Sequence, residues 1–164
     1  MRARRGPAVT LAFVGVLAGQ AAFAGDCAPD RVDIRGEWGT ARFVVEIADD
    51  PGEQARGLMF RESLAASAGM LFIYPQPGAP VFWMKNTIIP LDMLFIRPDG
   101  TVAHVHPEAV PGDLTGIRGG DGILAVLEIR GGMAQALGVG AGDQIRHPAF
   151  EPTGAVWSCD AGQG

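Results

Sequence analysis

The chain has 164 residues, a length that suits one domain, and it carries 13 basic and 18 acidic side chains for a formal net charge of −5. Three of the basic residues lie in the first 24 positions, where no acid occurs, so the remainder holds 10 basic and 18 acidic groups, a net charge of −8. An acidic body lacks the basic face that neutralises phosphates, so we expect no nucleic-acid partner. No later stretch approaches the roughly 20 apolar residues of a membrane span.

Residues 1–24 have the pattern of a signal peptide. A basic start over residues 1–7 precedes an apolar stretch over residues 8–20, and Ala22-Phe23-Ala24 has the small-x-small pattern of a cleavage site. An uncleaved membrane anchor is the alternative. We expect cleavage near Gly25, no membrane span after it, and a periplasmic or secreted protein.

Two cysteines, Cys27 and Cys159, lie near opposite ends of the expected mature chain. Exported proteins fold in oxidising compartments, and the termini of a domain often lie close together. A disulfide here would close a loop of roughly 130 residues and would stabilise the fold by up to about 5 kcal/mol. The sequence therefore predicts this disulfide, with two free thiols as the alternative.

The first predicted elements precede residue 69. Residues 25–39 are polar and turn-rich, and they predict an N-terminal arm. Alternating apolar side chains over residues 42–47 predict a strand. Asp49-Asp50-Pro51 is typical of a helix start, and Gly57 predicts that this helix is short or broken.

Short runs rich in Val, Ile, Phe and Trp dominate after Gly69, with turns of Pro, Gly and Asp between them. Pro98-Asp99-Gly100 predicts a hairpin loop, and a short helix over residues 132–137 would end at Gly138. The predicted strands cover residues 70–74, 80–85, 91–96, 101–106, 123–129 and 144–147.

These strands predict a mostly β fold: a small sandwich or partly closed barrel of short strands with one or two short helices, rather than a βαβ layout. The domain would cover residues 40–149, followed by a C-terminal tail over residues 150–164.

Residues 80–96 combine apolar side chains with polar ones in unusual places. Lys85 is the single lysine of the chain, beside 12 arginines. Asp92 would share a strand face with Leu94 and Ile96, where a carboxylate needs a partner or a water-filled cleft. One interpretation is a structural Lys85–Asp92 ion pair across the turn, and the other is a polar cluster that binds a ligand in an apolar cleft.

Several short motifs lie within roughly residues 40–149. They are Gly57-Leu-Met-Phe-Arg61, Gly69-Met-Leu-Phe72, Phe82-Trp-Met-Lys-Asn-Thr87, Pro90-Leu-Asp-Met-Leu-Phe95 and Val126-Leu-Glu128, with Gly138 and Gly142-Asp143. Together they resemble the domain-of-unknown-function family 192. The resemblance implies a small, mostly β domain, often exported, and brings no established activity, substrate or catalytic residue. The positions that match the family's pattern include Arg56, Gly57, Met59, Trp83, Lys85, Asn86, Asp92 and Glu128.

Two patterns suggest metal chemistry. His104 and His106 would share a strand face, and His147 could supply a third ligand for Zn, Cu or Mn. Met84 beside Trp83 could bind Cu(I). Solvated histidines and core methionines are the more common explanation of both patterns, so we expect neither a metal site nor a cofactor.

Non-catalytic binding of a small molecule, glycan or peptide is the function that the sequence favours. We expect a cleft bordered by Trp83, Lys85, Asn86 and Asp92, in which Lys85 holds an anionic group. Arg56, Met59 and Glu128 are further binding candidates. One alternative is a hydrolytic or metal-assisted enzyme that uses Asp92, Glu128 or the His104/His106 pair. If Glu128 has only a structural role, we expect it to pair with Arg130 or Arg56. Another alternative is a structural partner in an envelope complex.

Overall fold

The computed structural model describes residues 27–161, so the predicted signal peptide lies outside the described residues. The strands are β1 (Arg31–Gly36), β2 (Gly39–Ala48), β3 (Ala68–Gly78), β4 (Val81–Phe82), β5 (Leu91–Ile96), β6 (Val102–Ala109), β7 (Ile117–Arg118), β8 (Ile123–Arg130) and β9 (Gln144–Arg146). The helices are α1 (Pro51–Arg56), α2 (Met133–Leu137) and a 3₁₀-helix (Pro148–Thr153). Within the described part, no helix is long and apolar enough to cross a membrane.

Seven strands form one curled sheet in the order β6-β5-β8-β3-β2-β1-β9, and β4 pairs with β7 in a separate two-stranded sheet. The edges of the large sheet meet at one end, where Thr101 bridges to Gln144. The Val102 N–H donates to the Asp143 carbonyl at 2.8 Å, next to this bridge. The predicted mostly β fold with a partly closed barrel is confirmed.

One neighbouring pair in this sheet, β2 with β3, is parallel. The short helix α1 makes the crossover between them, which is a small β-α-β unit that the sequence did not predict. The Gln54 side-chain amide fastens α1 to both strands, because it donates to the Ala48 carbonyl at 3.3 Å and to the Ile73 carbonyl at 2.9 Å.

The central strands are buried on both faces, so alternate side chains enter two apolar clusters. In β5, Leu94 and Ile96 pack in one cluster, whereas Met93 and Phe95 pack in the other. The predicted division of this strand into two faces is confirmed. In β8, Val126 packs in the second cluster, which places Glu128, two residues further on, on that same face.

The segment predicted as an N-terminal arm is instead part of the sheet. Val32 and Ile34 of β1 are fully buried, and Asp33 between them accepts hydrogen bonds from Arg42 and Arg146. Burial alone would raise the pKa of Asp33, but these hydrogen bonds outweigh it and lower the pKa. The turn-rich composition of this segment did not indicate a strand. The strand can bury Asp33 because Arg42 and Arg146 pair with its carboxylate.

The predicted C-terminal tail also packs on the domain. Phe150 is fully buried, and the Trp157 ring contacts the Arg35 and Arg146 guanidinium groups, which lie 4.5 and 4.8 Å from its centroid. Cys27 and Cys159 form a disulfide, with 5.3 Å between their Cα atoms. The predicted disulfide is therefore present.

Candidate functional site

One wall of the candidate site is the turn that follows α1. The Asp50 side chain caps the helix by accepting from the backbone N–H groups of Gly52 and Glu53, as Asp49-Asp50-Pro51 predicts. Gly57 ends the helix with φ of 48°. A Cβ atom at this position would lie 3.1 Å from the Phe72 ring and 3.9 Å from a Glu128 carboxyl oxygen. Glycine therefore keeps open the space in front of Glu128.

The facing wall is the loop that follows β4. The predicted strand over residues 80–85 ends at Phe82, because the chain turns and Asn86 adopts φ of 55°. The Asn86 carbonyl accepts from the Phe60 N–H at 2.8 Å, and its side-chain amide lies 3.9 Å from the Met59 sulfur. These contacts join the loop to the α1 turn. Met84 is fully buried beneath the loop and packs in the second apolar cluster.

A cavity of about 390 Å³ lies between these two walls. This volume suits a small organic molecule. Its lining combines aromatic and aliphatic side chains with several polar ones. The lining residues are Gln54, Ala55, Arg56, Gly57, Leu58, Met59, Phe72, Tyr74, Val81, Phe82, Trp83, Thr87 and Glu128. We call this cavity the Glu128 pocket.

Glu128 is 5% exposed, and the structure shows no hydrogen bond or ion pair to its carboxyl group from any residue between 27 and 161. Every fully enclosed side-chain nitrogen or oxygen in that range does have a hydrogen-bond partner. The Glu128 oxygens must therefore be open to the pocket that they line. Neither Arg56 nor Arg130, the partners suggested by the sequence, pairs with this carboxyl group.

Burial without a partner raises the pKa of Glu128 to about 8, because the apolar surroundings disfavour the carboxylate. The pKa of Tyr74 rises to about 12, through its own burial and then through the charge of Glu128. At neutral pH the Glu128 pocket therefore contains a protonated, uncharged carboxyl group that ionises within a pH unit or so of neutrality.

The predicted binding residues divide between two neighbouring cavities. Arg56, Met59, Trp83 and Glu128 line the Glu128 pocket. Lys85 and Asn86 line a shallower one on the other side of the loop, which also contains Thr87, Ile88, Pro111, Gly112 and Leu114. The Lys85 ammonium lies 5.0 Å from the centroid of the exposed Trp83 ring, which is a cation–π contact.

Asp92 lies apart from both cavities. It is fully buried, and its carboxylate accepts from the backbone N–H groups of Glu108 at 2.8 Å, Gly132 at 3.0 Å and Ala134 at 2.7 Å. Lys85 is exposed, and no ion pair joins it to Asp92. Both the predicted ion pair and a binding role for Asp92 are therefore corrected: backbone amides satisfy this carboxylate. Asp92 therefore does not lie beside Glu128 in the pocket as a second catalytic carboxylate.

Sequence reasoning missed several residues of the Glu128 pocket, including Tyr74, Phe72 and Gln54. A usable signal was present in the strand period. Phe72 and Tyr74 share one face of β3, and β8 places Val126 and Glu128 on the same face, with Phe72 opposite Val126 in the register. Because Glu128 follows Val126 on the apolar face of one strand, the alternation predicts that its carboxyl group lies beside the buried aromatic side chains.

The structure does not assemble the histidines. His104 is exposed and His106 half-buried on β6, whereas His147 is buried elsewhere, with its ring nitrogens bonded to the Pro29 carbonyl and the Ala149 N–H. Burial lowers the pKa of His147. Residues 27–161 contain no group of three or more His, Cys, Asp or Glu side chains placed to hold a metal ion.

A larger cavity of about 660 Å³ lies beside the β1–β2 turn. Most of its polar side chains already have partners, and Asp143 accepts from the Trp38 indole at 2.8 Å and from the Gly140 N–H at 2.9 Å. The Arg35 guanidinium donates to the Gln144 side chain at 2.7 Å. Because these groups already bond to each other, they are less free to bind a ligand than the carboxyl group of the Glu128 pocket.

The fold and site define a small, mostly β domain with an aromatic pocket built around a buried carboxyl group. The chain belongs to the DUF192 family, described as "Uncharacterized ACR", whose model matches residues 32–147. The match begins in β1, which agrees with the place of that strand in the sheet.

Two solved structures resemble the chain. A protein of unknown function from Novosphingobium aromaticivorans DSM 12444 is 43% identical with a TM-score of 0.69, over 70% of this chain and 82% of that one. A protein from Sinorhizobium meliloti 1021, described as a candidate transcription regulator, is 39% identical with a TM-score of 0.69, over 74% and 95%. No curated protein matches the chain.

Proposed function

We propose that this protein is an exported binding protein that holds a small, largely apolar organic molecule in the Glu128 pocket. The observation that carries the proposal is the Glu128 carboxyl group, which lies at a cavity lined in part by aromatic side chains and accepts no hydrogen bond from residues 27–161. Because its oxygens are open to the pocket, they can bind a polar group of a ligand. The aromatic side chains beside them can bury the apolar body of the same ligand.

The walls support an apolar ligand body. Phe72 and Phe82 form an edge-to-face pair, with 5.0 Å between ring centroids, so the inner wall is fixed by packing. Trp83 lines the same pocket yet remains 49% exposed, so it forms the outer, solvent-facing part of the wall. The loop that carries Trp83 is held by the contact between Asn86 and Phe60.

Transcriptional regulation is not the function that we propose, despite the description of the Sinorhizobium meliloti protein. The net charge of −8 after residue 24 opposes binding to a phosphate backbone.

Export is supported by the signal pattern of residues 1–24 and by the Cys27–Cys159 disulfide, since such bonds persist in oxidising compartments. Fractionation of cells that produce the full sequence tests this part of the proposal. We expect protein outside the cytoplasm with a mass that starts near Gly25.

Ligand binding is tested by recording amide NMR spectra of the purified protein with small aromatic compounds. We expect shifts confined to residues 56–59, 72–74, 81–83 and 128, and a severalfold loss of affinity in Trp83→Ala. Ile88→Ala is the matched control, because Ile88 is exposed on the other side of the same loop. A screen that shifts none of these amides, or that shifts only distant ones, overturns the pocket proposal.

A further inference from the structure

The chemistry of the Glu128 pocket restricts its ligand further. Glu128 is the acid among the lining residues, and no cation of residues 27–161 pairs with it. Resting on the proposed function, we propose that the ligand is a small organic cation, an amine with an apolar body, whose ammonium group pairs with the Glu128 carboxylate.

The aromatic walls favour a cation over a neutral molecule. Phe72, Tyr74, Phe82 and Trp83 line the pocket, and the faces of such rings attract an ammonium group electrostatically. Trp83 already makes one such contact, with the Lys85 ammonium at 5.0 Å. A carboxylate at the inner end and aromatic rings around it are the two groups that stabilise a desolvated ammonium ion.

Arg56 is the cation that also lines this pocket, and it does not supply the missing partner. It is exposed, whereas Glu128 is buried, and no ion pair joins them. At the exposed rim its charge is screened by water and salt. Because Gly57 adds no side chain in front of a Glu128 oxygen, the approach for a ligand's ammonium group stays open.

The pair also predicts that binding releases a proton. With a pKa of about 8, Glu128 is mostly protonated at neutral pH, and an ammonium ligand binds the ionised form. Affinity should therefore rise about tenfold per pH unit up to about pH 7, by about fivefold from pH 7 to 8, and then level off. A neutral ligand would show no such rise.

The test compares benzylamine with benzyl alcohol, a neutral compound of nearly the same shape, by calorimetric titration of the purified protein at pH 6, 7 and 8. We expect benzylamine to bind more tightly at each step in pH and benzyl alcohol to bind weakly throughout. Glu128→Gln should weaken benzylamine binding about 10- to 100-fold at pH 8. Glu62→Gln, at an exposed glutamate outside the pocket, should leave it unchanged.

The outcomes separate the two proposals. If benzyl alcohol binds in the pocket as tightly as benzylamine, the pocket binds ligands but the inference of a cation is wrong. If neither compound binds, while the NMR screen also finds no pocket ligand, both proposals fail. The pH dependence in the natural sequence decides the inference even if Glu128→Gln does not fold.

Discussion

Two buried acids in adjacent strands, Asp92 in β5 and Glu128 in β8, have opposite surroundings. Asp92 lies beside Ile129 in the register and is satisfied by three backbone N–H groups. Glu128, one residue earlier, points to the other face of the sheet and receives no such bond from residues 27–161. Strand alternation therefore makes one acid a structural anchor and the other a site group.

The ionisation of Glu128 predicts a specific pH dependence of stability. Its pKa is about 8 in the folded protein against an ordinary 4.5, so the folded state binds the proton more tightly. Between about pH 4.5 and 8 the unfolded chain releases this proton first, and the free energy of unfolding falls by about 1.4 kcal/mol per pH unit from this residue. Below that range Glu128 does not lower the free energy of unfolding, and above it the loss no longer changes with pH.

Urea denaturation at pH 5, 6.5 and 8 measures this effect. Because glutamine does not titrate, Glu128→Gln should gain stability relative to the natural sequence as pH rises across this range. Glu62→Gln should follow the natural sequence. A difference between Glu128→Gln and the natural sequence that stays constant with pH would show that Glu128 is already ionised in the folded protein.

Residue identity alone could indicate which positions were unusual, but not how each one is satisfied. The positions of Lys85 and Asp92 on either side of one turn predict that they meet, yet Asp92 is bonded to amides 16, 40 and 42 residues further along the chain. Such partners depend on the sheet order, which a single sequence does not specify. Glu128 was identified as a candidate, but its lack of a partner became visible only with the fold.

At the level of elements, the N-terminus of helix α2 is capped by Asp92, a side chain from strand β5. The helix's N-cap residue Gly132 has no side chain to cap the helix, and Asp92 accepts hydrogen bonds from the N–H groups of Gly132 and Ala134 instead. A bulge in β6 aims the Glu108 N–H at the same carboxylate, because Leu91 pairs with Ala109 while Met93 pairs with His106.

Asp92→Asn should therefore destabilise the fold by about 3 kcal/mol, because an uncharged amide cannot accept all three bonds and brings a donor toward donors. Urea denaturation measures the change, with Asp121→Asn in an exposed turn as the neutral control. The affinity of the Glu128 pocket for benzylamine should not change in the variant. A stable Asp92→Asn protein that has lost ligand binding would show that Asp92 contributes to binding and is not only structural.

The local signals that the sequence carried were good predictors of most elements. β5 matches its predicted bounds, the Pro98-Asp99-Gly100 hairpin is present, and α2 ends at Gly138 as expected. The errors arose where tertiary contacts override composition: β1 forms from a turn-rich segment because it pairs with β2 and β9. The loop after Phe82 is apolar enough to resemble a strand, but its side chains line cavities instead.

At the scale of the whole molecule, the Cys27–Cys159 disulfide closes the loop that contains the entire domain, with a sequence separation of 132. Cys27→Ser/Cys159→Ser should lower the free energy of unfolding by about 2–5 kcal/mol. Urea denaturation of this variant, and of the natural sequence with a reducing agent, should give matching midpoints. An unchanged midpoint in both would show that the packing of Trp157 and Phe150 alone holds the C-terminal segment.

The 5.3 Å between the Cα atoms of Cys27 and Cys159 has a topological consequence. A short peptide linker could replace the disulfide as the bridge between these positions, and the polypeptide could then start and stop elsewhere. The turn at Gly120-Asp121-Gly122 is exposed, and a side chain at either glycine would meet no neighbouring atom within 4 Å. A circular permutant opened there would keep each strand pair of the barrel while changing the order in which the ribosome delivers them.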